Sequence, residues 1–192
     1  MSDCKPVQVY LGLGSNLGSR LDHLKAGLAA LEAHPRLRPD LISGIWESEY
    51  VGAGNQDPYL NAAVRLETDL TPAVLLSICK GLEAEAGRLP DSHLQPRTLD
   101  LDVLLHAGTV QTDCEPLLPH PRLGERAFVL GPLAEIAGDL RLPDSGETVS
   151  AAYAKIRRKP GAWLRLRQDL SWALRGAARE VGERGSVAIH RR

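Results

Sequence analysis

The sequence predicts an α+β domain, because strand and helix patterns follow one another in the order β-α-β-β-α-β between residues 7 and 105. The first strand is predicted at residues 7–13, which are β-rich and run into the turn signal Gly14-Ser15-Asn16-Leu17-Gly18. Leucines at three- and four-residue spacing then predict an amphipathic helix that stops at Pro35: Leu21, Leu24, Leu28 and Leu31.

Two strands and a second helix complete the core. Residues 41–51 and 59–66 have strand patterns and are joined by a loop rich in Gly, Asn, Asp and Pro. Thr71 followed by Pro72 is typical of a helix start, with the threonine as N-cap and the proline at the first helical position. A further strand at residues 98–105 gives a ferredoxin-like βαββαβ core.

Additional strand and helix elements are predicted after this core. Residues 124–136 have a helical pattern, residues 138–148 resemble a short strand or loop, and residues 149–156 resemble a terminal helix. We therefore predict one domain over residues 1–158 and a basic C-terminal extension over residues 159–192, disordered or helical.

Length and composition indicate a soluble protein. The chain has 192 residues, of which 43% are hydrophobic, enough for the core of a single domain. No apolar run reaches the roughly 18 residues needed to span a bilayer, and the N-terminus lacks the features of a secretory signal. We expect a cytoplasmic protein without membrane contact, and its three cysteines should be reduced thiols.

The net charge of −1 hides an uneven distribution. Residues 155–192 carry eleven Lys and Arg against three Asp and Glu, so they have a charge of +8, and the rest of the chain has −9. An acidic body argues against nucleic-acid binding by the main domain. The basic tail leaves two interpretations open, a solvated extension or a contact with nucleic acid or an acidic partner.

Asp100 and Asp102 are the first candidate site. In the predicted strand Thr98-Leu99-Asp100-Leu101-Asp102-Val103, a period of two places both carboxylates on one face. Paired carboxylates without a nearby Cys or His cluster favour Mg²⁺ over Zn²⁺, and a two-ion site would clamp a polyphosphate. The alternative is a solvated sheet face or an ion pair with Arg97.

Arg88 and Arg97 bracket the loop before this strand, where their guanidinium groups could hold phosphate oxygens. Phosphoryl transfer depends mainly on metal ions and arginines that neutralise the transferred group. The four residues together therefore predict an enzyme that moves a phosphoryl-type group from ATP to a small acceptor.

Three motifs surround these residues. Pro-Arg-Thr-Leu-Asp-Leu-Asp at residues 96–102 is the most specific, with Leu11-Gly12-Leu13-Gly14-Ser15-Asn16 upstream and Pro119-His120-Pro121-Arg122 downstream. In order and spacing, these motifs resemble those of the 6-hydroxymethyl-7,8-dihydropterin pyrophosphokinases of folate biosynthesis. The resemblance extends from about Val7 to Ile156, so the predicted domain at residues 1–158 is identified as the pyrophosphokinase domain.

This resemblance implies a reaction and a set of ligands. Mg²⁺-bound ATP would donate its β,γ-pyrophosphoryl group to the hydroxymethyl oxygen of the pterin and release AMP. Two Mg²⁺ ions are implied per site, held by Asp100 and Asp102. The expected partners are the two small-molecule substrates alone, and we expect a monomer.

The resemblance also assigns residues to each substrate. Catalytic roles are implied for Arg88, Arg97, Asp100 and Asp102, and Glu83 matches a position that organises the site. The implied ATP-binding residues are Arg88, Arg97, Val103, His120 and Arg126. The implied pterin-binding residues, including the aromatic pair Tyr59 and Phe128 that stacks on the ring, are Ser48, Val51, Gly52, Tyr59, Asn61, Asp100 and Phe128.

The loop between Arg88 and Arg97 departs from the family pattern. It is one residue shorter than the family forms, and Leu94 stands where an aromatic residue is common. We expect this difference to affect how the loop closes over ATP and to leave the metal site unchanged.

Three other function classes compete with this interpretation. RNA-recognition domains share the βαββαβ order but use exposed aromatics in a basic setting, whereas aromatics are 4% of this chain. Gly12-x-Gly14 suggests a dinucleotide site, but Leu17 stands at the third glycine, so we interpret these glycines as a tight turn beside the active site. An inactive scaffold of the same family is the third, and the intact arginines and aspartates argue against it.

Overall fold

The computed structural model describes residues 5–52, 54–88, 95–158, 163–171 and 173–174. The predicted loop at 89–95 therefore lies largely outside the described residues, as does most of the predicted tail. The described strands are β1 Val7–Ser15, β2 Arg38–Ile42, β3 Trp46–Ser48, β4 Tyr59–Thr68, β5 Asp100–His106 and β6 Leu164–Leu166. The helices are α1 Arg20–Ala33, α2 Pro72–Glu85, α3 Ala127–Ala137 and α4 Val149–Ile156, with a 3-10 turn at Leu123–Glu125.

The described strands form one sheet in the order β5-β1-β4-β3-β6, and β2 also pairs with β4. Strands β4 and β5 flank β1, and both are antiparallel to it. Helix α1 connects β1 to β2, and α2 connects β4 to β5. This arrangement confirms the predicted α+β class and the ferredoxin-like βαββαβ order, in which β2 and β3, both paired with β4, together take the place of one strand.

Helices cover both faces of the sheet, because its strands bury apolar side chains on each side. Leu11 of β1 and Leu101 of β5 pack with Leu28 of α1 and Leu75 of α2. The opposite face packs against α3 and α4 through a second cluster that includes Tyr10, Leu104, Leu130 and Leu133. Side chains alternate along β5, so Asp100 and Asp102 share the face of Leu104 and point towards the α3 side.

The predicted strand at 41–51 is two strands, β2 and β3, separated at residues 43–45. The interruption is stabilised by side-chain hydrogen bonds between residues far apart in sequence. Ser43 Oγ accepts a hydrogen bond from the backbone N of Ala63 at 2.9 Å, and Glu135 Oε2 accepts one from the backbone N of Gly44 at 2.9 Å. These long-range partners have no local sequence signal, which explains why alternation alone predicted a continuous strand.

Part of the predicted C-terminal extension adds to the sheet. Strand β6 pairs antiparallel with β3, and residues 168–171 and 173–174 are helical. Leu174 has no exposed surface and belongs to the α1/α2 core. The domain boundary at residue 158 stays a prediction, but β6 and Leu174 pack on the domain like its other elements.

Candidate active site

Asp100 and Asp102 lie on one face of β5, opposite two glycines of β1. In the register of the two strands, Asp100 faces Gly14 and Asp102 faces Gly12. A Cβ at position 14 would make ordinary contacts, 3.4 Å from the ring of Tyr59 and 3.7 Å from Asp100 Cβ, so Gly14 lies directly between these two side chains. Our interpretation of the glycines as a tight turn is wrong, because both lie within β1.

Two arginines lie against Asp100. Arg97 donates a hydrogen bond to Asp100 Oδ1, and Arg88 Nη1 donates to the same oxygen at 3.2 Å. Arg88 also pairs with Glu83, whose side chain is fully buried and whose Oε1 accepts a hydrogen bond from the backbone N of Leu101 at 2.8 Å. Glu83 therefore ties α2 to β5 and holds Arg88 beside Asp100. A buried carboxylate in this setting depends on its cationic partner.

Asn16 fixes the backbone of Arg97. The Arg97 backbone N donates to Asn16 Oδ1 at 2.7 Å, and the Asn16 backbone N donates to the Arg97 carbonyl at 3.0 Å. Asn16 Nδ2 also donates to Gln56 Oε1 at 2.9 Å. This buried amide therefore joins three segments that border the site: the end of β1, the segment before β5 and the loop before β4.

A cavity of about 190 Å³ extends from Asp100 to the adjacent ends of β3 and β4. Tyr59 and Phe128 line it, as do Ser48 and Asn61. Asn61 Nδ2 donates to Ser48 Oγ at 3.0 Å, which fixes the amide in the cavity wall. Burial, and then the charge of Asp100, raises the pKa of Tyr59 to about 12, so its phenol is protonated at neutral pH. The cavity combines aromatic surface with fixed hydrogen-bonding groups, which suits a flat polar ring.

A second cavity, of about 410 Å³, meets the first one at Asp102, His120 and Arg122, which line both. Its walls also include Val103 and Lys80. The two cavities thus adjoin at these three residues and together mark a path past Asp102 of β5. Cationic groups lie along it, an arrangement that attracts an extended anion.

The charges along this path are partly buried. Burial is the main cause that lowers the pKa of His120, and it outweighs the opposite effect of Asp102, whose Oδ2 lies 4.0 Å from His120 Nε2. Burial also raises the pKa of Asp102, with the charge of Asp100 as the second cause. His120 is therefore neutral at pH 7, and Asp102 has no charged partner as close as those of Asp100 among the described residues.

The two aspartates fit a magnesium site. Carboxylate oxygens are the ligands that Mg²⁺ prefers, and a cation would relieve the unfavourable burial of Asp102 beside Asp100. No cluster of three or more potential His, Cys, Asp or Glu ligands occurs in the part of the chain that the structure describes. The protein therefore offers two carboxylates, and phosphate oxygens and water are the ligands that Mg²⁺ commonly adds in nucleotide sites.

The sequence matches the family model for 7,8-dihydro-6-hydroxymethylpterin-pyrophosphokinase (HPPK) over residues 10–138. This chain belongs to the HPPK family. It is 44% identical over 150 residues to the 2-amino-4-hydroxy-6-hydroxymethyldihydropteridine pyrophosphokinase of Methylorubrum extorquens, covering 78% of this chain and 94% of the relative. Identity to the Bacillus subtilis enzyme of the same name is 41% over 154 residues, covering 79% and 92%.

Solved structures support the same fold. The HPPK-DHPS of Plasmodium falciparum superposes with a TM-score of 0.66 at 14% sequence identity, over 86% of this chain. The match covers 48% of the Plasmodium chain, so this protein spans about half the length of that solved chain. The family assignment confirms the resemblance drawn from the motifs, and with it the function of HPPK, pyrophosphate transfer from ATP to hydroxymethyldihydropterin in folate biosynthesis.

The structure brings most of the predicted HPPK site residues to the two cavities. The first cavity is lined by Ser48, Val51, Tyr59, Asn61, Arg97, Asp100, Asp102, His120, Arg126 and Phe128. Val103, the predicted neighbour of the nucleotide base, lines the second. Arg88 and Glu83 lie behind these residues and reach the site through Asp100 and Leu101. Gly52 is exposed and lines neither cavity, although its neighbour Val51 does.

Sequence reasoning missed three residues at the site of this HPPK. Arg122 lines both cavities, and the motif Pro119-His120-Pro121-Arg122 contained it without assigning it a role. Asn16 closed the upstream motif and positions Arg97. Tyr50 lines the first cavity and stacks on Tyr59 with ring centroids 6.5 Å apart. Its only signal was an aromatic residue two positions after the predicted pterin contact Ser48.

Proposed function

We propose that this pyrophosphokinase binds Mg²⁺ through Asp100 and Asp102, two ions per site, and transfers the β,γ-pyrophosphoryl group of ATP to the hydroxymethyl oxygen of the pterin, with release of AMP. One observation carries the proposal. The first cavity, with aromatic walls, and the second cavity, rimmed by cations, share Asp102, and Asp100 lines the first cavity beside it. This geometry would bring a flat acceptor and a triphosphate together over the two carboxylates.

In this proposal, the second cavity, of about 410 Å³, holds ATP. The nucleotide base would lie against Val103, and the triphosphate would cross Asp102, His120 and Arg122. Bound Mg²⁺ would neutralise phosphate charge at the aspartates. Arg88 and Arg97 share Asp100 Oδ1 in this structure and would exchange part of that contact for phosphate oxygens. His120, kept neutral by burial, would donate a hydrogen bond to phosphate, and Arg126 would add positive charge.

The first cavity, of about 190 Å³, holds the pterin in this proposal. Its ring would lie between the aromatic side chains of Tyr59 and Phe128. The amide of Asn61, fixed by Ser48, would hydrogen-bond the polar edge of the ring. Fixed partners of this kind discriminate well against a ring that lacks matching donors and acceptors, because a buried amide would then lose its hydrogen bonds.

We further propose that the protein acts as a cytoplasmic monomer on these two small molecules. Across the described residues, no helix is long and apolar enough to cross a membrane. The acidic charge of residues 1–154 supports a main domain that does not bind nucleic acid.

The reaction is tested by the identity of its product. Purified protein is incubated with ATP and 6-hydroxymethyl-7,8-dihydropterin, with and without Mg²⁺, and adenine nucleotides are separated by chromatography. We expect AMP and pterin diphosphate in equal amounts, and only when pterin and Mg²⁺ are both present. ADP in place of AMP would contradict pyrophosphoryl transfer, and AMP formation in the presence of a chelator would contradict the metal site.

A further inference from the structure

Glu47 lies in β3 between two residues whose side chains face the opposite side of the strand, and it is held by two arginines. Arg20 Nη2 donates to Glu47 Oε1 at 2.9 Å, and Arg167 Nη1 donates to Glu47 Oε2 at 3.0 Å. The Glu47 side chain is 13% exposed. Because both carboxylate oxygens are engaged, the ion pairs fix the orientation of the side chain and, through it, the backbone of β3.

Arg20 connects β3 to the start of β4. Arg20 also donates through Nη1 to the carbonyl of Pro58 at 2.7 Å, and Pro58 directly precedes Tyr59. In the register of the two strands, Ser48 pairs with Tyr59. Glu47 and Arg20 therefore bridge the end of β3 and the start of β4, which place Ser48 and Tyr59 in the wall of the first cavity.

Arg167 brings the C-terminal segment into the same unit. Its backbone N donates to the Ile45 carbonyl at 2.8 Å, and the backbone N of Ile45 donates to Ser171 Oγ at 2.9 Å. Strand β6 pairs with β3 immediately before Arg167, and the fully buried Leu174 anchors the helical residues after it. The segment thus supplies hydrogen-bond partners for both backbone groups of Ile45, the residue directly before β3.

We propose that Arg20, Glu47 and Arg167 act as positioning residues for the pterin, so that residues 163–171 and 173–174 belong functionally to the pterin-binding wall. This inference rests on the proposed pterin site. The three residues reach the pterin only through Ser48, Pro58 and Tyr59, and none of them lines either cavity. Loss of the network should therefore weaken pterin binding and leave ATP binding and the chemical step almost unchanged.

The first test compares Arg167→Ala with Arg165→Ala. Arg165 lies in β6 and is exposed, so it controls for the loss of an arginine from the same strand. Pterin affinity is measured by calorimetry, and KM and kcat are measured for both substrates. We expect Arg167→Ala to raise the Kd and KM for the pterin about fivefold, with the KM for ATP and kcat within about twofold of wild type. Arg165→Ala should resemble the wild type.

Two further variants separate positioning from folding. Arg167→Lys keeps a charge near Glu47 and should recover part of the pterin affinity. Glu47→Ala combined with Arg167→Ala should cost less than the sum of the two single changes, because both remove the same contact. Equal losses for ATP and pterin, or unchanged pterin affinity in Arg167→Ala, would overturn the inference. Wild-type protein that binds ATP but no pterin would overturn the proposed pterin site itself.

Discussion

The two ends of the first cavity draw their residues from the chain in different ways. The charged end comprises Arg97, Asp100 and Asp102, with Arg88 behind them, and a stretch of 15 residues supplies all four. The aromatic end comprises Ser48, Tyr59, Asn61 and Phe128, supplied by β3, β4 and α3. The ion pairs at the charged end join residues no more than 12 positions apart, and Asn16 adds a long-range hydrogen bond to the backbone of Arg97. The supports of the aromatic end reach from Arg20 to Arg167. A short motif thus specifies the ion pairs of the charged end, whereas the aromatic end depends on the whole sheet.

The two ends also differ in how they relate to stability. At the charged end, Asp102 is partly buried beside a like charge, which raises its pKa and costs folding free energy until a cation is bound. At the aromatic end, the side chains of Asn61 and Ser48 hydrogen-bond each other. We therefore expect substitutions at the charged end to separate activity from stability, and those at the aromatic end to change substrate affinity.

The largest effect should come from removing a carboxylate at the charged end. Asp102→Ala should lower kcat/KM for AMP formation by about 1,000-fold, because the proposed magnesium site would lose one of its two carboxylates and with it the neutralisation of phosphate charge. Steady-state kinetics with saturating Mg²⁺ measure the loss. Asp113→Ala, at an exposed position, serves as the matched control. A loss below about tenfold would show that the charged end does not depend on this carboxylate.

Removal of the buried carboxylate behind the charged end should have the largest effect on stability. Glu83→Ala leaves Arg88 without its buried partner and the backbone N of Leu101 without its acceptor. We expect the free energy of unfolding to fall by about 3 kcal/mol, measured by urea denaturation. Glu85→Ala, an exposed glutamate of the same helix, should change it by less than about 0.5 kcal/mol. Similar losses for the two variants would contradict a supporting role for Glu83.

The contrast between local and long-range contacts also explains which features could be predicted from the sequence. The βαββαβ order and the shared face of Asp100 and Asp102 follow from local periodicity, and the structure has both. The helix start at Thr71 is also local, and its Oγ1 accepts a hydrogen bond from the backbone N of Val74. Each of these features depends on residues a few positions apart, so the pattern itself contains the physical cause.

The break between β2 and β3 could not be predicted, because it depends on partners far away in sequence. The side-chain oxygen of Ser43 accepts the hydrogen bond of the Ala63 backbone N. The backbone N of Ile45 donates to Ser171 Oγ, and its carbonyl accepts from the backbone N of Arg167. The prediction of a disordered or helical tail missed β6 for the same reason. A three-residue strand has too short a pattern to be recognised until the edge of the sheet that it joins is known.

At the aromatic end, a smaller effect should appear in pterin affinity alone. Asn61→Ala removes an amide that the structure fixes through Ser48, so the KM for the pterin should rise about tenfold while the KM for ATP changes by less than about twofold. Asn55→Ala, at an exposed position in the loop before β4, is the control for loss of an asparagine. An equal rise in both KM values would mean that the two ends of the cavity are not separate in function.

The smallest effect, and the sharpest test of the comparison, is a gain in stability from Asp102→Asn. Burial, and then the charge of Asp100, raises the pKa of Asp102 in the folded protein above its value in the unfolded chain. The protonated carboxyl therefore stabilises the fold at a pH below the pKa of the unfolded chain. This contribution is lost as the pH rises through the pKa of the folded protein. At pH 7 the neutral amide should therefore be more stable by about 1 kcal/mol without ligands, and the gain should vanish below about pH 4. Thermal unfolding at both pH values measures this difference.

Saturating Mg²⁺ and ATP should make the wild type more stable than Asp102→Asn, because only the wild type gains stability from the bound metal complex. A variant less stable than the wild type at pH 7 would show that the Asp102 carboxylate supports the fold rather than the site.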